Sequence, residues 1–184
     1  MKTILVTSLF ILLSFACFGQ NLNSLDEQYG FRDAKLGMPP DSFNNLVIQE
    51  SVEESFPNAK LYKVNNVDLH LGDYVLDDIA DWFYKGKLLT IEITVSKGYL
   101  NQQGVLKVFE AEYGKSVHKI SSDGANIYIW GGKKVEMTYV IGDSRNTPGD
   151  IQITSREIKR QEISDEIMIE EKNEQETIGT SQQF

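Results

Sequence analysis

Ile79-Ala-Asp-Trp-Phe-Tyr84 runs into Lys85-Gly86 and returns as Lys87-Leu-Leu-Thr-Ile-Glu-Ile-Thr-Val-Ser96. Two runs rich in β-branched and aromatic residues on either side of two turn residues make a β-hairpin. With Lys85 and Gly86 as the turn, Tyr84 faces Lys87, Trp82 faces Leu89 and Ala80 faces Ile91, so these residues share a side with Ile93 and Val95. The opposite side carries Asp81, Phe83, Leu88, Thr90, Glu92 and Thr94. A slip of one residue would set Asp81 against Leu89 and, at about 1.5–3 kcal/mol for each large apolar side chain left in water, would lose several kcal/mol. A type I′ turn favours Asn or Asp where Lys85 stands, which leaves open a three-residue loop with Gly86 in a left-handed conformation.

Upstream of the hairpin, Phe31 to Leu36 reads as a first strand, and Gly37-Met38-Pro39-Pro40-Asp41-Ser42-Phe43 as a turn into a short helix that ends by Leu46. Val47 to Asn58 reads as a strand fragment leading into an acidic loop, and Lys60–Val64 and Val67–Leu71 as two strands. Downstream, Leu100 to Tyr113 places Val105, Leu106, Phe109 and Tyr113 on one helical stripe, with Gly114 as the stop. A second hairpin spans Ala125–Trp130 and Val135–Ile141, and Ile151–Thr154 supplies a last strand. The expected class is α+β: an antiparallel sheet built from two helix-then-strands halves, with the helices packed on one face.

The ends read differently from this body. Met1 to Gly19 has the basic start and apolar run of a secretory signal, with cleavage expected before Gln20. A second reading takes Ser14-Phe-Ala-Cys17 as a lipobox with Cys17 lipidated, although Leu13 lies one position too far upstream. Gln20 to Gln28 reads as a polar lead-in, residues 29–155 as one α+β domain, and 156–184 as an acidic tail, partly helical and then disordered. Cys17 is the one cysteine, so a product starting at Gln20 has no disulfide and no thiol chemistry. The chain carries 18 basic and 27 acidic residues, a net charge of −9, and losing Lys2 with the signal makes it more negative still. Such a surface repels phosphate backbones and anionic headgroups, which argues against nucleic acid as a partner.

Phe31-Arg-x-x-Lys-Leu-Gly37, Tyr84-Lys-Gly-Lys-Leu88 and Glu112-Tyr-Gly-Lys115 resemble the corresponding stretches of small exported α+β proteins of Bacteroidota-type bacteria, of unknown function. The Gly37-Met38 turn is similar, more faintly, to the opening of SmpA/OmlA-type lipoproteins and β-lactamase-inhibitor-protein-like domains. The resemblance implies a cell-envelope module that binds another protein and performs no chemistry.

Catalytic patterns are thin. No nucleophile elbow, phosphate loop or serine–histidine pairing is present. A metal site would need His70 and His118 to converge with Asp68, Asp73 or Asp77, and their spacing matches no metal motif. Asp77, Asp78 and Asp81 alternate across a strand, as a solvated face would, and Asp143 to Asp150 has ordinary loop chemistry. No catalytic residue, metal or cofactor is therefore assigned. The apolar residues on the outward side of the hairpins are the candidate binding site. Phe83 and Leu88 on the first, with Ile127 and Ile129 on the second, form an exposed patch rimmed by Asp81, Glu92 and Glu136 if helices cover one face only. A bent sheet or the C-terminal segment would bury them instead. The expected function is that of an exported protein-binding or scaffolding module, periplasmic or secreted, with no membrane span after cleavage. The alternatives are an inhibitor or immunity protein acting on a basic enzyme and, third, a small hydrolase.

Overall fold

The computed structural model describes residues 22–49, 59–122, 124–141 and 146–181. The expectations for the signal, for Cys17, for the Gln20 cleavage point and for most of the acidic loop before Asn58 lie outside them. Eleven strands and three α-helices are formed among the described residues. The strands are β1 (Gly30–Phe31), β2 (Ala34–Lys35), β3 (Leu46–Gln49), β4 (Ala59–Val64), β5 (His70–Leu71), β6 (Tyr74–Tyr84), β7 (Lys87–Val95), β8 (Val117–Ile120), β9 (Asn126–Gly131), β10 (Val135–Ile141) and β11 (Gly149–Ser155). The helices are α1 (Leu22–Gln28), α2 (Tyr99–Tyr113) and α3 (Arg156–Ser181). β1 and β2 form a small ribbon. The large antiparallel sheet runs β3-β4-β6-β7-β11-β10-β9-β8, with β5 paired to β6 beside it. Its strands thus make two meanders joined where β7 meets β11.

The central hairpin closes on the two-residue turn: Tyr84 faces Lys87, and Lys85 and Gly86 both have positive φ, 47° and 73°. The register then departs from the expected one. Phe83 faces Leu88, but Trp82 faces Thr90 and Ala80 faces Glu92, so Leu89 is the extra residue of a β-bulge. Beyond a bulge the alternation changes phase. Leu88 therefore shares a face with Ile91, Ile93 and Val95, while Leu89 joins Trp82 and Tyr84 on the other. Leu88 also turns its backbone to Gly37 and Met38, donating to Met38 O at 2.9 Å and accepting from Gly37 N at 2.8 Å. β11 pairs with β7 from Val95 to Thr90 only, and the Gly37-Met38 segment continues the pairing past that point.

Both faces of the sheet are covered, a correction to the single-layer expectation. α1 and α2 pack on the first face, where Leu25, Val105, Leu106, Phe109 and Tyr113 meet Ile91, Ile93, Ile151 and Met137. Gly104 has a packing reason to be glycine: a Cβ there would stand 1.9 Å from Tyr74 Cε1. On the second face Ile158 of α3 closes over Leu61, Trp82, Tyr84 and Leu89. Asp165 fixes the helix to the hairpin turn, accepting from Tyr84 Oη and, at 2.7 Å, from Lys85 Nζ. Those two bonds, Lys85 first, hold its carboxyl below the ordinary range.

Several segments differ from their sequence reading: Phe31–Leu36, expected as one strand, is the β1–β2 ribbon, and of Val67–Leu71 only His70–Leu71 is strand. The stretch expected as a polar lead-in is helix α1, with Leu25 fully buried. Asp26 accepts the backbone N–H groups of Lys133, Lys134 and Val135 at 2.7, 2.8 and 3.0 Å. Burial raises this carboxyl's pKa, but the three backbone donors outweigh that and leave it lowered. The helix expected before Leu46 is a single 3₁₀ turn, Pro40–Ser42, so the halves share a strand plan without a matching helix. In the segment expected as the acidic tail, Arg156–Ser181 form helix α3.

Candidate functional site

The four residues expected to form one outward patch do not meet. Phe83 and Leu88 are 2% and 0% exposed and belong to the main core, because the bulge and the roof over this face enclose them. Ile127 and Ile129 are half-buried on the opposite face, across β9 from Trp130, which the core takes. Of the expected polar rim, Glu92 accepts from Trp82 Nε1 at 2.8 Å and Glu136 from Arg156 at 2.7 Å. Asp81 is on the core side and 1% exposed.

That last placement defines a different site. A cleft of about 530 Å³ opens between the sheet and the segments that cross it. Its floor is Val64 of β4, Ile79 and Asp81 of β6 and Ile91 of β7. Its roof is the stretch from Met38 to Asn45, held down at one end by the Gly37-Met38 pairing with Leu88. At the other end Asn45 Nδ2 donates to Asn65 O at 3.0 Å. Phe43 reaches inward and meets the Phe83 ring edge-on at 5.8 Å. The β1–β2 turn makes the remaining wall. There Arg32, at φ 53°, donates from its guanidinium to the carbonyls of Asp68 and His70, tying the turn to the loop ahead of β6.

Asp81 is flanked along its strand by Ile79 and Phe83 and across the sheet by Tyr62 and Ile91. Its Oδ1 is buried with no hydrogen-bond partner among the described residues. Burial in these surroundings pushes the carboxyl up to about 7. A carboxyl so placed exchanges its proton near neutrality and, when ionised, is an uncompensated charge in a largely apolar space. The cleft, lined also by Arg32, Asp33, Ser42, Asn44 and Asn45, can thus accept an apolar body against its floor and offer it polar contacts, with Asp81 the buried one. The sequence carries a signal for this residue: an acid whose i−2 and i+2 neighbours are Ile79 and Phe83 shares its face with them. Without a bulge in the ladder that face reads as the solvent side.

The histidines stand apart from the cleft. His70 Nδ1 lies 2.9 Å from Asp68 Oδ1, and that contact, with the His70 backbone N–H, holds the Asp68 carboxyl low. His118 stacks on Tyr128 at 4.7 Å, with Nε2 3.0 Å from Asn126 Oδ1. No three His, Cys, Asp or Glu side chains gather as a metal ion would require among the described residues. The loop from Asp143 lies partly outside those residues. No helix among them is long and apolar enough to cross a membrane. No family model, curated protein or solved structure matches the chain.

Proposed function

We propose that this chain is an exported binding module, without chemistry of its own, and that its ligand enters the cleft over Asp81. The observation that carries the reading is a cleft of about 530 Å³ with the buried Asp81 at its floor, its Oδ1 unpartnered among the described residues. Burying such a group costs stability, and a bound ligand that satisfies it offsets the cost. Binding is favoured over catalysis by the site's composition. Among the described residues of the lining Asp81 has no histidine, lysine or second buried acid beside it, as a general acid–base pair would need. The export reading rests on the basic, apolar start of the chain.

A small-molecule screen by NMR on the isotopically labelled protein tests the site. Compounds that bind are expected to shift the methyl resonances of Val64, Ile79 and Ile91. They are expected to lose affinity in Val64→Phe, which puts a ring into the cleft. Hits that map elsewhere, or that bind the filled variant unchanged, would sink the cleft as the binding site.

A further inference from the structure

The floor of the cleft distinguishes between ligands by charge. Among the described residues Asp81 Oδ1 has no partner, and the nearest same-face positions hold Ile79, Phe83, Tyr62 and Ile91 rather than a basic residue. The cation at the wall, Arg32, has its guanidinium directed to the carbonyls of Asp68 and His70. It is followed by Asp33, which offsets its charge at the mouth. We propose that the cleft binds a cationic amine or amidine carried on an apolar body, with Asp81 as its counter-ion. The assignment rests on the cleft being the binding site, as proposed above, and narrows that reading to a ligand class.

Three considerations lead to a cation. A buried carboxylate is stabilised far more by an opposite charge than by a neutral donor, since charge-assisted hydrogen bonds are roughly twice as strong. An anion would set two like charges together at the cleft floor once Asp81 is ionised and is disfavoured there. A neutral ligand offers the carboxyl a hydrogen bond but no opposite charge. The acidic chain, at −9, also raises the local concentration of cations around the mouth. The apolar body follows from the remaining walls, which include Phe43, Val64, Val67 and Ile91.

The test compares three indoles with the same ring and side chains of different charge: tryptamine, tryptophol and indole-3-propionate. Their binding to the protein is measured by calorimetry at about pH 8. Tryptamine is expected to bind about tenfold or more tighter than tryptophol, with indole-3-propionate weakest. Asp81→Asn is expected to erase the preference for tryptamine over tryptophol. Between about pH 6 and about pH 8 tryptamine should gain about tenfold as Asp81 ionises, and tryptophol should not. The charged and titratable groups around Asp81 are Arg32 and Asp33 on the β1–β2 turn and Tyr62 on β4. Near-UV circular dichroism of Asp81→Asn checks its packing, and the pH series on the unaltered protein stands independently of that variant. Equal affinity for tryptamine and tryptophol in the cleft would overturn the ligand class and leave the binding site standing. Tryptamine binding unchanged in Asp81→Asn would overturn it as well, and failure of all three indoles to bind would remove site and ligand class together.

Discussion

Asp81 is a residue that the fold keeps at a cost. Its carboxyl is raised from 3.8 to about 7, so between those values the folded state holds a proton that the unfolded state has released. Stability from this group is fully present below about 3.8 and is lost as the pH rises toward 7. The interval corresponds to about 4 kcal/mol at most. Asp81→Asn removes the titration while keeping the shape. The variant is expected to match the unaltered protein near pH 4 and to exceed it by several kcal/mol near pH 8. Urea unfolding at the two pH values measures this, and a constant difference would show that Asp81 does not titrate on its own in the folded protein. A ligand cation would reverse the penalty, since it favours the ionised form.

Trp82 and Phe83 are adjacent on β6 and belong to separate cores, Trp82 under α3 and Phe83 under the roof of the cleft. Large-to-small substitution of a buried aromatic costs about 3–5 kcal/mol, and both Trp82→Ala and Phe83→Ala are expected to fall in that range. A sheet covered on one face would lose stability at Trp82 alone. Denaturant midpoints at an unchanged slope distinguish the two cases, and a near-neutral Phe83→Ala would contradict the closed roof. The burial follows from the bulge at Leu89 and from the segments that cover each face. Alternation alone separates Trp82 from Phe83 without saying which of them is wet.

The whole molecule has a sheet between two layers, with α1 and α2 on one side and the start of α3 on the other. The outer part of α3 contributes little to this. Residues 167–173 are exposed, and Ile167, Met168 and Ile169 are about half-exposed at 49%, 56% and 51%. A chain ending after Glu170 is expected to unfold within about 0.5 kcal/mol of the full one, as surface changes do. A chain ending after Ser155 loses Ile158 from above Trp82 and also Asp165 from the hairpin turn, and is expected to melt far lower. Thermal melts of the two truncations check the expectation; equal melting points would show that α3 is not part of the second core.

Local chemistry decided the parts that depend on near neighbours. Lys85-Gly86 fixed a two-residue turn, Val105, Leu106, Phe109 and Tyr113 fixed helix α2 with Gly114 beyond it, and the alternation from Val135 to Ile141 fixed β10. These follow from turn conformation and from periods of 2 and 3.6 residues, which are properties of short stretches. What needed the tertiary structure was the sidedness of the sheet. Whether Phe83, Leu88 and Asp81 face water depends on the roof from Met38 to Asn45 and on the bulge at Leu89. Whether Leu25 and Ile158 are buried depends on strands far away in the chain. A short polar-looking segment such as Gln20 to Gln28 supplies Leu25 to the core and Asp26 to the backbone of Lys133–Val135, with no period to announce them. The candidate site shares that reason: an acid between apolar residues looks alike on a wet face and a dry one, and only the segments folded over it make it a buried charge.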